Sequence, residues 1–198
     1  MMKSSRELRH QAWEQLRKSY WMVLVVTLIV AALPAASSIA VIGFLLLGPL
    51  LVGQAIYLID MIDNNTDGKK LELIIEGFKK SFVNSMIASL LVGIFTFLWS
   101  LLFIIPGIIK SLAYAMTPYI IAEDPTIDAM KAIDQSQEMM KGHKMELFIL
   151  HLSFIGWYIL AMFTFGIGMI FLLPYVKTAE ANFYIELRGR KSIIAEFE

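Results

Sequence analysis

Three long stretches without a charged side chain constrain most strongly how this chain can fold. They run over residues 20–59, 81–109 and 147–176, and the second extends to residue 122 if Lys110 is counted as internal. A membrane-spanning helix needs about 20 mainly apolar residues. With the residues that flank it, each stretch therefore has room for two such helices joined by a tight turn. A hydrophobic content of 58% with a mean hydropathy of +0.66 excludes an ordinary soluble domain.

The basic residues indicate how these helices are oriented. All lysines and arginines except Lys110 and Lys177 lie in the N-terminal segment, the two connecting segments and the C-terminal tail. The predicted hairpin turns on the opposite membrane face lie near residues 34–38, 100–105 and 163–168. They carry no lysine or arginine. The positive-inside rule then places both termini in the cytoplasm of a multi-pass protein of the cell membrane. The formal net charge is zero, so we expect no nucleic-acid partner.

We therefore predict an all-α polytopic membrane protein, with six transmembrane helices arranged as three repeated helical hairpins and with amphipathic cytoplasmic segments. The predicted spans are 20–34, 39–61, 82–101, 104–122, 146–163 and 167–187. Together they form a single membrane domain over residues 1–198, with repeat units at approximately 5–62, 68–122 and 125–188. The second helix of each hairpin contains a proline followed within a few residues by a polar side chain. These pairs are Pro49 and Gln54, Pro106 and Lys110, and Pro174 and Lys177.

An amphipathic segment precedes each hairpin. In the second unit, Leu71, Ile74, Ile75 and Phe78 form an apolar stripe with helical spacing. The N-terminal segment has a similar stripe: Leu8, Ala12, Trp13, Leu16 and Tyr20. In the third unit, Asp124 as N-cap and Pro125 at the first helical position predict a helix through residue 140. Such helices either lie in the headgroup layer or extend the spans, and the sequence favours neither.

The charges inside the predicted spans are the strongest indication of a site. A lysine at the bilayer centre costs about 2.5–3.5 kcal/mol on insertion scales, and Glu180 is spaced to pair with Lys177 on one helix face. We predict a shared ligand-binding site on the three proline-bearing helices. Its candidate residues are Gln54, Lys110, Lys177, Glu180 and Asn182. In the alternative interpretation, Lys110 reaches outward to the interface while Lys177 and Glu180 belong to an interfacial helix after Pro174.

Other motifs favour structural roles. His151 lies inside an apolar stretch and either relays protons or packs through a hydrogen bond. Residues 63–68 resemble the first half of an EF-hand loop, but Ile74 occupies the position of the bidentate glutamate. A turn between helices is the better interpretation. The chain has no cysteine, and we find no nucleophile with a base, no phosphate loop and no metal-ligand pattern. We expect no catalytic site, cofactor or metal.

The chain resembles the bacterial integral-membrane family called domain of unknown function 975, strongly over residues 80–188. The residues that carry the resemblance are 122–125, 136–140, 142–143, 152–157, 164–168, 174–175 and 183–187, with 106–110 and Tyr114. The resemblance implies a six-span protein of the cytoplasmic membrane and no established activity. The chain is also similar to the membrane domain of some glycerophosphodiester phosphodiesterases. It contains no region resembling their catalytic domain, so we expect no phosphodiesterase activity.

Two functions fit these observations. The first is a non-enzymatic membrane module that binds a lipid, an amphipathic ligand or a partner membrane protein. The alternative is a small transporter or flippase-like protein in envelope homeostasis or peptide resistance, for which repeated hairpins supply the interfaces that move. In both, membrane lipids are expected partners.

Overall fold

The computed structural model describes residues 4–36, 40–64, 75, 79, 81–102, 104–164 and 166–197, in which all regular structure is helical. The all-α prediction is therefore confirmed for these residues. The helices are α1 (Ser5–Ala36), α2 (Ala40–Asp63), α3 (Phe82–Leu102), α4 (Ile104–Tyr114), α5 (Thr117–Glu123), α6 (Ala129–Met139), α7 (Lys144–Leu152), α8 (Ile155–Phe163) and α9 (Ile167–Phe197).

The chain forms two compact units. The first unit comprises Met1–Val25, Leu58–Lys69 and Met145–Glu198, and the second comprises Val26–Tyr57 and Lys70–Lys144. Helices α1 and α2 therefore each contribute residues to both units. The predicted single domain and its three repeat units stay predictions.

Among the described residues, four helical segments are long and apolar enough to cross a membrane: Leu46–Asp63, Phe82–Leu101, Ile105–Glu123 and Lys144–Phe163. Large apolar side chains are exposed along α3 and α8, including Phe97, Leu101, Ile159 and Phe163. Water would solvate such surfaces poorly, whereas lipid chains cover them without penalty. The structure thus supports a membrane protein, and six spans remain a prediction.

Small residues let α2 and α3 approach closely in the second unit. A Cβ atom added at Gly48 would overlap the backbone oxygen of Ser85 and the hydroxyl of Ser89. The hydroxyls of these two serines donate to carbonyls one turn back on α3. Ser85 Oγ donates to Ser81 O at 2.6 Å, and Ser89 Oγ donates to Ser85 O at 2.8 Å. These polar groups are therefore satisfied within an apolar helix.

The predicted span 104–122 is not one continuous helix. It breaks after Tyr114, and α5 begins at Thr117. Pro118 explains the break, because proline has no N–H to bond Tyr114 O and its ring collides with that carbonyl. Ser136 of α6 compensates: its buried hydroxyl donates to Ala113 O at 2.8 Å and accepts from Met116 N at 3.2 Å.

The predicted N-cap at Asp124 is wrong. The helix begins instead at Ala129, and Asp128 accepts hydrogen bonds from the backbone N–H groups of Met130 and Lys131. Asp124 forms a local turn, accepting from the Thr126 backbone N–H at 3.0 Å and from its hydroxyl at 2.6 Å. A short aspartate side chain can accept backbone hydrogen bonds either in a turn or at a helix N-terminus, and Asp124 does so in a turn.

The boundaries of three other predicted spans also change. Helix α1 begins at Ser5, so the N-terminal amphipathic segment is continuous in one helix with the span that was predicted to start at residue 20. The predicted span 146–163 breaks between α7 and α8, and Ser153 Oγ donates to Leu150 O at 2.6 Å beside this break. Helix α9 continues to Phe197, well beyond the predicted end at residue 187.

Several predicted features lie wholly or partly outside the described residues. These are the turn near residues 34–38, the EF-hand-like turn over 63–68 and the apolar stripe of Leu71, Ile74 and Phe78. Of the predicted helix in the second connecting segment, Ile75 and Lys79 are described, and both are helical and exposed.

Candidate functional site

The first unit contains an apolar cleft of about 500 Å³ between α1, α8 and α9. Each helix contributes side chains at helical spacing. They are Trp13 and Tyr20 from α1, Trp157, Leu160, Ala161 and Thr164 from α8, and Gly168, Phe171, Leu172 and Tyr175 from α9. Five of these ten side chains are aromatic, so the cleft has broad, rigid walls.

Contacts among the aromatic rings fix one end of the cleft. The Tyr175 ring meets Trp13 edge-on at a centroid distance of 5.8 Å and Phe154 at 5.0 Å. Its hydroxyl donates to Arg9 O at 3.0 Å. Offset and edge-on ring pairs contribute roughly 0.5–1.5 kcal/mol beyond their buried area. This wall is therefore preformed.

The hydroxyl of Thr164 is satisfied within the protein. It donates to Ala161 O at 2.8 Å and accepts from Gly168 N at 2.9 Å. A Cβ at Gly168 would lie 2.8 Å from this hydroxyl and 2.9 Å from Ala161 Cα, so α8 and α9 need a glycine here. Gly166, with φ of +83°, lies in the turn between the two helices. The cleft floor therefore offers hydrocarbon surface to a ligand.

Arg9 lies beside the same end of the cleft, one turn before Trp13 on α1. Its Nη1 donates to Ser153 O at 3.2 Å, at the break between α7 and α8. Its Nε is shielded from solvent and has no hydrogen-bond partner among the described residues. An arginine has five N–H donors, and here their hydrogen-bonding capacity is incompletely used.

The predicted site residues fall in both compact units. Gln54 and Lys110 belong to the second unit, and Lys177, Glu180 and Asn182 belong to the first. A site shared by all five residues therefore stays a prediction.

Gln54 and Lys110 have partners within the second unit. Gln54 is buried, and its amide donates to the Thr27 hydroxyl at 3.1 Å. This hydrogen bond joins α2 to α1. Lys110 Nζ lies 5.1 Å from the ring centroid of Trp99 and 5.8 Å from that of Tyr114, and it donates to Gln137 Oε1 at 3.2 Å. Cation–π contacts and this hydrogen bond stabilise the lysine.

Lys177 and Glu180 form the pair that their spacing predicts. Lys177 Nζ lies 2.8 Å from Glu180 Oε2 on α9. His151 of α7 joins them, with its Nε2 3.4 Å from Glu180 Oε1. From the sequence, His151 is interpreted as a packing residue or a proton relay, with no partner named. Glu180 lies on a different helix, so the sequence alone does not reveal this contact.

Asn182 lies at a separate, polar cavity of the first unit. Its amide donates to Gln15 Oε1 at 2.6 Å and to Thr178 O at 2.9 Å. The cavity has a volume of about 410 Å³, and it is also lined by His10, Glu14 and Glu186. Within the described part of the chain, no group of three or more histidine or acidic side chains is arranged to hold a metal.

The aromatic cleft is absent from the sequence prediction, although the sequence contains its signal. Residues 157, 160, 161 and 164 and residues 168, 171, 172 and 175 follow the same helical spacing, and residues 13 and 20 lie seven apart. The pattern of charges instead indicated the two lysines inside the predicted spans. From the sequence alone, an aromatic helix face that lines a cleft is hard to distinguish from one that faces lipid.

Comparison with known proteins identifies a family. No curated protein and no solved structure matches the chain significantly. One family model matches twice, over residues 1–110 and 101–191, so the matches extend over most of the 198 residues. Together with the apolar helices, this shows that the chain belongs to the family described as Protein of unknown function (DUF975).

Proposed function

We propose that this protein is a non-enzymatic, multi-pass module of the cell membrane, with both termini in the cytoplasm, that binds the hydrocarbon part of a membrane lipid in the aromatic cleft. The observation that carries the proposal is the cleft of about 500 Å³ with its aromatic walls. A cleft of this size lies within the range of small-molecule binding sites.

The occupant follows from the chemistry of the cleft. Trp157, Leu160 and Phe171 are about half exposed, so the cleft opens to the surroundings of the helices. In a bilayer these surroundings are acyl chains, which need no hydrogen bonds from the wall. The Thr164 hydroxyl is already bonded within the protein. An acyl chain therefore fits this cleft better than a polar solute.

Retention of lipid by the purified protein tests the proposal. We expect native mass spectrometry in mild detergent to show bound phospholipid on the wild type. Phe171→Ala should weaken binding by about tenfold, because burying a phenylalanine side chain contributes roughly 1.5–3 kcal/mol. Phe163→Ala is the matched control, since this exposed phenylalanine lies outside the cleft lining. Equal lipid retention by the two variants, or no bound lipid on the wild type, would contradict the proposal.

A second candidate, a small transporter or flippase-like protein, is favoured by one observation. The His151–Glu180–Lys177 cluster brings three ionisable side chains of α7 and α9 together, and such clusters inside membrane spans mark ion or proton paths in transporters. The test is movement of a fluorescent phospholipid between leaflets of proteoliposomes. Movement that His151→Gln abolishes supports transport. Leaflet exchange at the rate of protein-free vesicles argues against it.

A further inference from the structure

We infer that the cleft selects phospholipids with an anionic headgroup, whose phosphate binds Arg9. This inference rests on the proposed function and adds the lipid class. Arg9 shares a face of α1 with Trp13 and Tyr20, because intervals of four and eleven residues return to nearly the same side of a helix. Arg9 thus stands at the N-terminal end of the α1 wall of the cleft.

Arg9 is held in place from two directions. Its Nη1 donates to Ser153 O at 3.2 Å, and its own carbonyl accepts from the Tyr175 hydroxyl at 3.0 Å. Tyr175 lines the cleft and contacts Trp13. The guanidinium is therefore preorganised relative to the aromatic wall, and a ligand meets a charge whose position is already fixed.

Among the described residues, no carboxylate lies within ion-pair distance of Arg9 to neutralise its charge. The shielded Nε also has no hydrogen-bond partner in this part of the chain. Because a partly buried charge without a counter-ion is costly, an external anion bound at the guanidinium would stabilise this arrangement.

Phosphate is the anion that fits. Guanidinium groups bind phosphate oxygens through paired, charge-assisted hydrogen bonds. Arg9 belongs to the N-terminal segment that the positive-inside rule places at the cytoplasmic interface, where lipid phosphates lie. A phospholipid thus satisfies both parts of the site at once, with an acyl chain along Trp157 and Phe171 and the phosphate at Arg9. An added net negative charge on the headgroup increases the attraction.

The experiment compares phosphatidylglycerol with phosphatidylcholine of the same acyl chains, added to delipidated full-length protein in mild detergent and quantified by native mass spectrometry. We expect the wild type to bind phosphatidylglycerol about tenfold more tightly. Arg9→Gln should remove this preference, and it should weaken phosphatidylcholine binding less than phosphatidylglycerol binding. Arg9→Lys should retain part of it, because the charge remains while the planar fork is lost. Arg6→Gln, a change at an exposed arginine of the same helix, should keep the full preference.

The outcomes separate the two proposals. Equal binding of the two lipids by the wild type overturns the inference about the headgroup but not the lipid-binding function. This outcome is measured on the wild type, so it does not depend on the folding of any variant. A preference that survives in folded Arg9→Gln also overturns it. Displacement of phosphatidylglycerol by millimolar inorganic phosphate would assign the site to a free anion rather than a lipid. Failure to bind either lipid overturns both proposals.

Discussion

Lys177 and Glu180 form an ion pair of 2.8 Å on α9, and the Glu180 side chain is 13% exposed while that of Lys177 is 33% exposed. Removing one partner leaves the other poorly solvated. We expect Glu180→Gln and Lys177→Met each to destabilise the protein by about 1–3 kcal/mol, less than for a fully buried pair. The double variant should lose less than the sum of the two. Unfolding in a denaturing detergent series measures the three values.

The pair between Arg188 and Asp63 is the control for this cycle. It has a similar distance, 2.9 Å, but both side chains are more than a third exposed. We expect a coupling energy below about 1 kcal/mol, because water screens exposed pairs. If both pairs showed the same small coupling, the Lys177–Glu180 pair would not be shielded as described.

Ser136 spans the break between α4 and α5 with two hydrogen bonds to backbone groups. Ser136→Ala leaves Ala113 O and Met116 N without this partner, and we expect a loss of about 1–3 kcal/mol of stability. Ser111→Ala is the matched control, since that exposed hydroxyl bonds only within its own helix, to Ile108 O. Thermal unfolding in detergent distinguishes them. An equal, small effect in both variants would show that the hydroxyl of Ser136 does not support the break.

Gly48 allows the close contact between α2 and α3. Gly48→Ala introduces a methyl group that overlaps Ser85 O and Ser89 Oγ, and overpacking of this kind costs about 1–3 kcal/mol. Gly156→Ala is the opposite case, because nothing lies within 4 Å of the added carbon. It should stabilise α8 by less than the roughly 0.5–1 kcal/mol of a mid-helix position, because Gly156 is the second residue of the helix. Opposite shifts of the unfolding temperature confirm the packing, and a stabilising effect of Gly48→Ala refutes it.

The turn at Asp124 should depend on pH. The hydrogen bond from the Thr126 hydroxyl, aided by one from the Thr126 backbone, lowers the pKa of Asp124 below its usual 3.8. Since the folded pKa is below the unfolded one, the stabilisation is complete above pH 3.8 and is lost as the pH falls through the folded pKa. NMR titration of the Asp124 carboxyl should show the lowered pKa. Thr126→Ala should bring it nearer to 3.8, and Thr126→Ser should keep it low.

The sequence predicts the helical segments well where polarity changes abruptly. The start of α3 agrees with its prediction because uncharged residues begin at Ser81, directly after Lys79 and Lys80. The Lys177–Glu180 contact is also predictable, because it is local to one helix.

Features that depend on contacts between segments distant in sequence are not predictable in this way. The helix break at Tyr114 has a local cause in Pro118, but the bonds from Ser136 that satisfy the freed groups come from another helix. Periodicity identifies the cleft side chains as one face of each helix. It does not distinguish a face that meets its neighbours around a cleft from a face that meets lipid.

The bonds made by Ser136 impose an order on synthesis and membrane insertion. Ser136 follows Met116 by 20 residues, so the ribosome completes the segment containing the α4–α5 break before the hydroxyl that satisfies it has been made. Until α6 emerges, this segment has exposed backbone polar groups that hydrocarbon does not solvate. The nascent segment must therefore stay in contact with water or the insertion machinery until α6 arrives, and the fourth predicted span matures after its own translation is finished.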